Sequence, residues 1–337
     1  MDIVYSSSDA YAGCTGVSLY SLYRHNETIE HLNVYVLSTD ISTENKKRLF
    51  QTARKFGREL TIIDAKEDFV RESNRLHLPL LRGAYNTYGR IILNKWFSHL
   101  DKVFVIDSDT MICGSLEPAW DIDISNYLLA AVPEMAMYNP YNHQEDPEIL
   151  SSIDMYYNMG ICIINLKRWR EKDIDTLIYE SIQKETKGFM IADQSIINKY
   201  IGNEITRLPL NYNYYTPVHR VSYQAISKVF STKKVFDENE FESARISPVI
   251  IHFFGQSFDR PWFKYNAAYK KKEYQSLRNQ TEWRDAPLNR WRKNSSCVLQ
   301  VYDVICYIML LLGLYTTCLG FRYVWGQRIK SLIGIHR

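Results

Sequence analysis

The sequence predicts an α/β protein built on a mostly parallel central sheet, and three observations lead there. Over the first 110 residues, strand patterns alternate with helix patterns. Helices of that length between strands imply βαβ units. The apolar run Lys102-Val103-Phe104-Val105-Ile106 then ends in two acids, Asp107 and Asp109, as a buried strand delivering carboxylates to its carboxyl-terminal edge would. In open α/β sheets that edge is where ligands bind.

Taken in order, Asp2 to Ser7 reads as a first strand and Gly13 to His25 as a helix. Leu32 to Ser38 is a second strand, and Ser42 is placed to cap a helix running to Phe56. Leu60 to Asp64 is a third strand, Asn86 to Leu100 has helical spacing, and Lys102 to Ile106 is the fourth strand. Tyr127 to Val132 and Met159 to Asn165 follow as strands, then a helix from near Lys167, a short helix over Ala192 to Tyr200, and a last buried strand from Pro248 to Phe254. Glu134 to Asp154 and Asn211 to Lys234 are rich in Tyr, Asn, Pro and charge, a composition that reads as binding loops.

A chain of 337 residues with 46% hydrophobic and 23% charged residues has ordinary globular composition. Its charge is uneven. Residues 259–337 hold 14 Lys/Arg against 5 Asp/Glu, whereas residues 1–258 hold 27 against 33. The basic part also contains the longest apolar run, so its expected partner is an anionic membrane surface and not nucleic acid. Lys270 to Lys293 is basic and carries Trp283 and Trp291. Val304 to Phe321 then runs 18 residues without a charge, bordered by Asp303 and Arg322. As one helix it would be about 27 Å long, the lower margin for spanning a bilayer. The first expectation is a helix lying in the membrane interface, ahead of a single C-terminal span or an apolar helix packed on the body. The organisation expected is a catalytic domain over 1–265 and a membrane-associating segment over 266–337. Six cysteines show no CxxC pair and no zinc spacing, and the amino terminus opens directly into a strand pattern. Both features predict a reducing, cytoplasmic site, and the basic-apolar tail adds a peripheral association with the cytoplasmic membrane.

Two acids one residue apart point to opposite faces of an extended strand. For Asp107 and Asp109 to meet one target the chain must turn at Ser108, and a shared divalent cation is a reason to turn. Standing alone, the pair reads equally as a strand end followed by a solvated acidic turn.

Further segments join the acidic pair, and together they resemble glycosyltransferase family eight. They are Met1-Asp2-Ile3-Val4-Tyr5-Ser6-Ser7-Ser8-Asp9-Ala10-Tyr11, Tyr88-Gly89-Arg90, Asp107-Ser108-Asp109, Tyr157-Asn158-Met159-Gly160 with Ile163 to Arg170 following, Ala192-Asp193-Gln194-Ser195, and His252-Phe253-Phe254-Gly255 with Pro261-Trp262. The resemblance covers roughly residues 1 to 265. It implies a GT-A (Rossmann-like) nucleotide-sugar-binding fold, a UDP-sugar donor, and Mn²⁺ or Mg²⁺ held by Asp107, Asp109 and His252. It further implies that Ser6, Ser8, Tyr11, Arg90, Ser108, Gly255 and Arg260 contact the nucleotide or its diphosphate, with Asp107 shared between the two sets. Asn158, Asp193 and Gln194 would face the donor sugar near the reacting carbon, and Glu134 aligns with an acid near sugar or acceptor. The chain departs from the family twice. Ser8 and Ala10 stand where an acid and an asparagine often contact the base, and five residues, Gln256 to Arg260, separate Gly255 from Pro261. Arg260 then replaces a lysine on the β-phosphate only if the loop bulges.

Family members retain anomeric configuration. A double displacement needs a carboxylate on the sugar's β-face, and the matching residue here, Gln194, is a poor nucleophile. A front-face route assisted by the leaving phosphate is therefore expected. The predicted activity is transfer of galactose or glucose from a UDP-hexose to a glycan or lipid-linked oligosaccharide acceptor, in lipopolysaccharide, capsule or other cell-surface polysaccharide synthesis. A degenerate UDP-sugar-binding protein and a glycogenin-like protein glycosyltransferase are the alternatives. A nucleotidyltransferase is disfavoured, because Gly13-Cys14-Thr15-Gly16 has no following lysine to form a phosphate loop.

Overall fold

In the computed structural model, which describes residues 1–78, 86–139, 147–185, 192–231, 235–290 and 297–326, six of the seven strands that the sequence predicts assemble into one sheet, and the last, predicted over Pro248 to Phe254, joins a smaller one. The strands are β1 (Asp2–Ser7), β2 (Asn33–Ser38), β3 (Thr61–Asp64), β4 (Lys102–Ile106), β5 (Thr110–Ile112), β6 (Leu129–Pro133), β7 (Tyr157–Asn165), β8 (Ile205–Arg207), β9 (Tyr214–Tyr215) and β10 (Ile250–His252). Seven of them form the main sheet in the order β3-β2-β1-β4-β7-β6-β8. Neighbours in β3-β2-β1-β4 run parallel, β7 is antiparallel to both of its neighbours, and β8 is parallel to β6. Both faces are covered. Ile3, Tyr5, Phe104, Ile106, Ile161 and Ile163 enter one core, and Val4, Val103, Val105, Cys162 and Ile164 enter the other, the two-residue alternation of strands buried on both sides.

A small second sheet, β5-β10-β9, leans over the carboxyl end of β4. Its antiparallel register sets His252 opposite Thr110, one residue beyond Asp109. Ser42 caps the second helix, Thr43–Arg54, by accepting from the Asn45 N–H at 3.3 Å. Asn86 to Leu100 is not one helix. A 3₁₀ segment, Asn86–Ile92, gives way to a single helical turn, Asn94–Phe97, and this tighter path carries Arg90 to the sheet edge. The stretch expected as an irregular loop after Asn211 contains the helix Tyr223–Phe230, capped by Ser222, and Glu238–Ile246 follows it, capped by Asp237.

No break in packing falls at residue 265 among the described residues. The helix Lys271–Arg278 buries Tyr274 and Leu277 with Cys14 and Val17 of the helix Ala12–His25. Trp283 lies flat on Gly13 and Gly16 of that same helix and belongs to the main core. The part of the basic-aromatic segment around Trp291 lies outside the described residues. The apolar run from Val304 to Phe321 is not one helix either. The helix Cys297–Leu311 ends where Gly313 adopts φ +76°, a left-handed conformation that costs glycine little. There the Leu314 N–H reaches Met309 O at 2.9 Å and the Gly313 N–H reaches Leu310 O at 3.3 Å, a Schellman ending. A second helix, Tyr315–Gly320, folds back and continues into a π-helical turn, Phe321–Trp325. The result is a helical hairpin. No helix among the described residues is long and apolar enough to cross a membrane. Val301, Val304, Ile308, Leu311 and Leu312 nevertheless form an exposed apolar stripe along the first helix of the hairpin.

Candidate active site

The acidic pair does turn at Ser108. The Ser108 hydroxyl donates to Ser6 O at 3.0 Å and the Thr110 hydroxyl donates to Asp107 O at 2.9 Å, closing the chain between them. Ser108 therefore holds the turn with its side chain. The turn brings Asp107 and Asp109 onto one side, and β10 supplies His252. One ligand atom from each of these three lies within 4.8 Å of the other two. His252 Nε2 stands 3.2 Å from an Asp109 oxygen and 3.7 Å from Asp107 Oδ2, while Asp107 Oδ1 accepts from Arg90. Asp107 thus gives one oxygen to the arginine and turns the other toward the histidine.

A chain of buried amides fixes the imidazole. The Gly160 N–H can only donate, so the Asn158 atom 2.8 Å from it is the oxygen. That oxygen also accepts from Asn213 Nδ2 at 2.8 Å, which turns Asn213 Oδ1 toward His252 Nδ1 at 3.0 Å. Nδ1 therefore carries a proton, and Nε2 is the nitrogen presented to the carboxylates. Asn158 Nδ2 donates to Glu134 at 2.6 Å, so Glu134 anchors the far end of the network and does not point freely at an acceptor. Burial pushes the Glu134 carboxyl up, opposed by the hydrogen bonds from Asn158 and Ala136. Gly160 makes the arrangement possible, because a Cβ there would collide with the His252 ring. A register shift between β6 and β7 at Ala131/Val132 kinks β7 beside this point and aims Asn158 to Gly160 over the sheet edge.

Arg90 forms the opposite wall. Its guanidinium bridges Asp107 and Asp193, with Nη1 3.1 Å from Asp193 Oδ2. Asp193 is 3% exposed and opens the helix Ala192–Ile201, where Ala192 holds φ +45°. Gln194, on the same turn, accepts the Met159 N–H through Oε1 at 3.0 Å. Asn198, one turn on, clamps Tyr157 by accepting from its N–H and donating to its carbonyl. Burial alone would raise the Asp109 carboxyl, yet the charge of His252 beside it, reinforced by Arg260, holds it at about 2.

The insertion after Gly255 does bulge. Gly255 takes φ +125°, residues Ser257–Asp259 form a 3₁₀ turn, and Arg260 Nη1 donates to the Tyr11 hydroxyl at 3.1 Å. Ala10, Tyr11, Arg260, Trp262, Phe263, Asn289 and Arg290 line a cleft of about 270 Å³ at the start of the first helix. Three buried polar atoms around the sheet edge, Ser6 Oγ, Arg90 Nε and Arg260 Nε, have no hydrogen-bond partner among the described residues. Buried polar atoms are rarely left this way, and an oxygen-rich ligand would satisfy them. Ser8, half-buried between Ser6 and Tyr11, uses its carbonyl to accept the Tyr11 N–H at 3.0 Å.

The donor set suits a divalent cation. Two carboxylates and the Nε2 of His252 converge, with the imidazole oriented from behind and an arginine paired with the outer oxygen of Asp107; a bound cation would take Nε2 in its deprotonated form. Sequence reasoning had named these groups but missed Asn213 and Asn198. Asn213 lies in the Asn211-Tyr212-Asn213-Tyr214 run, whose two asparagines amid aromatics were its only signal.

The model of glycosyl transferase family 8 matches residues 2–266. The chain is 25% identical over 269 residues to glycosyltransferase GlyE of Streptococcus pneumoniae, covering 78% of this chain and 57% of GlyE. It is 20% identical over 280 residues to the lipopolysaccharide 1,3-galactosyltransferase of Salmonella typhimurium, covering 80% of this chain and 75% of that one. The chain spans 64% of the length of a Haemophilus influenzae relative as well, so several relatives extend beyond it. Among solved structures, galactosyltransferase LgtC in complex with donor and acceptor sugar analogues superimposes with TM-score 0.65 at 22% identity, covering 85% of this chain and 99% of LgtC, and it establishes the shared GT-A fold. With the family match running from β1 through β10 and past Trp262, this chain belongs to glycosyl transferase family 8.

Proposed function

We propose that this chain is a retaining, metal-dependent hexosyltransferase that moves galactose or glucose from a UDP-sugar to a glycan or lipid-linked oligosaccharide. The observation that carries the reading is the convergence of Asp107, Asp109 and His252 beside Arg90. Mn²⁺ or Mg²⁺ held by those three residues would supply Lewis-acid neutralisation of the leaving diphosphate. The nucleotide would lie along Ser6, Ser8 and Tyr11, with Gly255 and Arg260 toward the phosphates. Arg90 would orient the diphosphate or sugar by its fixed fork of donors while pairing with Asp193. Asp193 would take sugar hydroxyls.

Gln194 would position the sugar from its strand-anchored amide and favour positive charge at the anomeric carbon, without forming a bond to it. The acceptor hydroxyl would give its proton to the departing phosphate on the same face, which preserves the anomeric configuration. A relative named for lipopolysaccharide 1,3-galactosyl transfer supports a role in lipopolysaccharide, capsule or another cell-surface polysaccharide. In this reading residues 1–265 carry the chemistry. From the segment expected to associate with the membrane, 266–337, the helical hairpin would meet the anionic face of the cytoplasmic membrane, led by its exposed apolar stripe, while residues up to Arg290 pack on the body.

The test is UDP release by the purified protein from UDP-galactose, UDP-glucose and UDP-N-acetylhexosamines, each with Mn²⁺ or with EDTA. Metal-dependent release from one hexose donor, accelerated by an oligosaccharide acceptor, is expected. Isolation of a glycosyl-enzyme on any side chain would overturn the front-face route.

A further inference from the structure

The C-terminal hairpin does more than pack on the body: one of its residues reaches the loop that carries Arg260. Arg322, 9% exposed, donates from Nη1 to Asp259 Oδ1 at 3.0 Å and from Nη2 to Asp259 Oδ2 at 2.6 Å, a bidentate fork. Its guanidinium also lies 5.0 Å from the centre of the Phe258 ring. Asp259 is 4% exposed and turns back on its own loop, where Oδ2 accepts the Gln256 N–H at 2.8 Å. Arg260 is the next residue, and its Nη1 extends from that loop to the Tyr11 hydroxyl.

The hairpin end is itself anchored from other directions. Asn139 donates to Tyr323 O at 2.7 Å, the Tyr302 hydroxyl donates to Arg322 O at 3.2 Å, and the Phe230 and Tyr323 rings meet at 4.7 Å. Arg322 lies outside the residues that the family model matches, and Asp259 lies within the five-residue stretch that departs from the family's spacing. The departure and the tail therefore meet in one buried ion pair. A loop lengthened between Gly255 and Pro261 has more conformations to lose, and a fork clamped on Asp259 removes that freedom beside Arg260.

We infer that Arg322 is a positioning residue for donor binding: by clamping Asp259 it fixes the bulged loop so that Arg260 is preset to meet a nucleoside diphosphate. This rests on Arg260 being a diphosphate ligand. Arg322 touches no substrate and acts only through Arg260.

The experiment is a double-mutant cycle on UDP affinity, measured by calorimetry on the full chain with Mn²⁺ present. The proteins are wild type, Arg322→Gln, Arg260→Ala and the combined variant. Arg260→Ala is expected to weaken UDP roughly tenfold, the loss of one charge-assisted contact. Arg322→Gln should weaken it by several-fold, and in the Arg260→Ala background it should do nothing further. Should Arg322→Gln not fold, Arg322→Lys keeps the charge and loses the fork, and it is read in the same cycle. Unchanged UDP affinity in the Arg322 variant, or losses that simply add, would overturn the clamp while leaving the donor site intact. Unchanged affinity in Arg260→Ala would remove the diphosphate role of Arg260 and the clamp with it. A wild-type chain that binds no UDP would overturn the donor-site reading itself.

Discussion

The sheet-edge site and the C-terminal hairpin are built on opposite principles. At the sheet edge every chemical group is held by something rigid behind it: β4 and its turn hold the carboxylates, β10 holds His252, and a chain of amides from Gly160 through Asn213 fixes the imidazole. Donors and acceptors face a common point while their backbones are buried in two hydrophobic cores. The hairpin inverts this. It turns an apolar stripe outward while its inner side, including Leu319, Cys306, Cys318 and Tyr323, packs on the body, where the Arg322–Asp259 pair is buried. The first arrangement suits recognition of a small charged ligand; the second leaves an apolar stripe open while one of its residues pairs with the loop that carries Arg260.

Predictions that test this contrast can be ordered by size. Trp283, 6% exposed against the first helix, ties residues 266–290 to the body, and Trp283→Ala should cost about 3–5 kcal/mol in thermal or urea unfolding. A loss near zero would mean that residues 266–290 are peripheral to the body after all. Within the site, Asn213→Ala frees the His252 ring from behind. Mn²⁺ affinity, followed by electron paramagnetic resonance, should fall roughly 10- to 100-fold, with about 1–3 kcal/mol lost in unfolding from the missing buried amide. Unaltered affinity would show that β10 alone orients the ring. On the hairpin, the combined change Ile308→Ser and Leu311→Ser should shift folding stability by under about 1 kcal/mol, because Ile308 is 48% and Leu311 61% exposed. The same pair should weaken sedimentation with anionic vesicles. Equal sedimentation of variant and wild type would dissociate the apolar stripe from membrane binding.

The parts of this design written in local pattern were readable from the sequence. An apolar run ending in Asp107 and Asp109 demanded a strand and then a turn, and Ser42 before a helical stretch demanded a cap. His252 at the end of the last apolar run was legible for the same reason. What was not legible depends on partners far along the chain. Asn213 and His252 meet because β9 and β10 pair, and no spacing in the sequence records that. Trp283 sits among Arg284, Glu282 and Asp285, so its neighbours suggest a surface, while the glycines that receive it lie at Gly13 and Gly16. The run from Val304 to Phe321 looked continuous because each glycine among apolar residues costs a helix only about 1 kcal/mol. Contacts of the second helix with the body, such as the Tyr315 hydroxyl accepting from Arg220 at 2.9 Å, accompany the break at Gly313. The bulge that lets Arg260 reach Tyr11 was required by the five-residue spacing, but its clamp, Arg322, lay beyond any local pattern.

The most direct measurement is UDP binding by calorimetry, with Mn²⁺ and with EDTA, in the wild-type chain and in Asp109→Asn. If Asp107, Asp109 and His252 form a metal-diphosphate site, UDP binds tightly only with Mn²⁺, and Asp109→Asn reduces that binding to the EDTA level. UDP binding of equal strength in EDTA, or unaffected by Asp109→Asn, would contradict the account and leave the three groups as a buried ion-pair network.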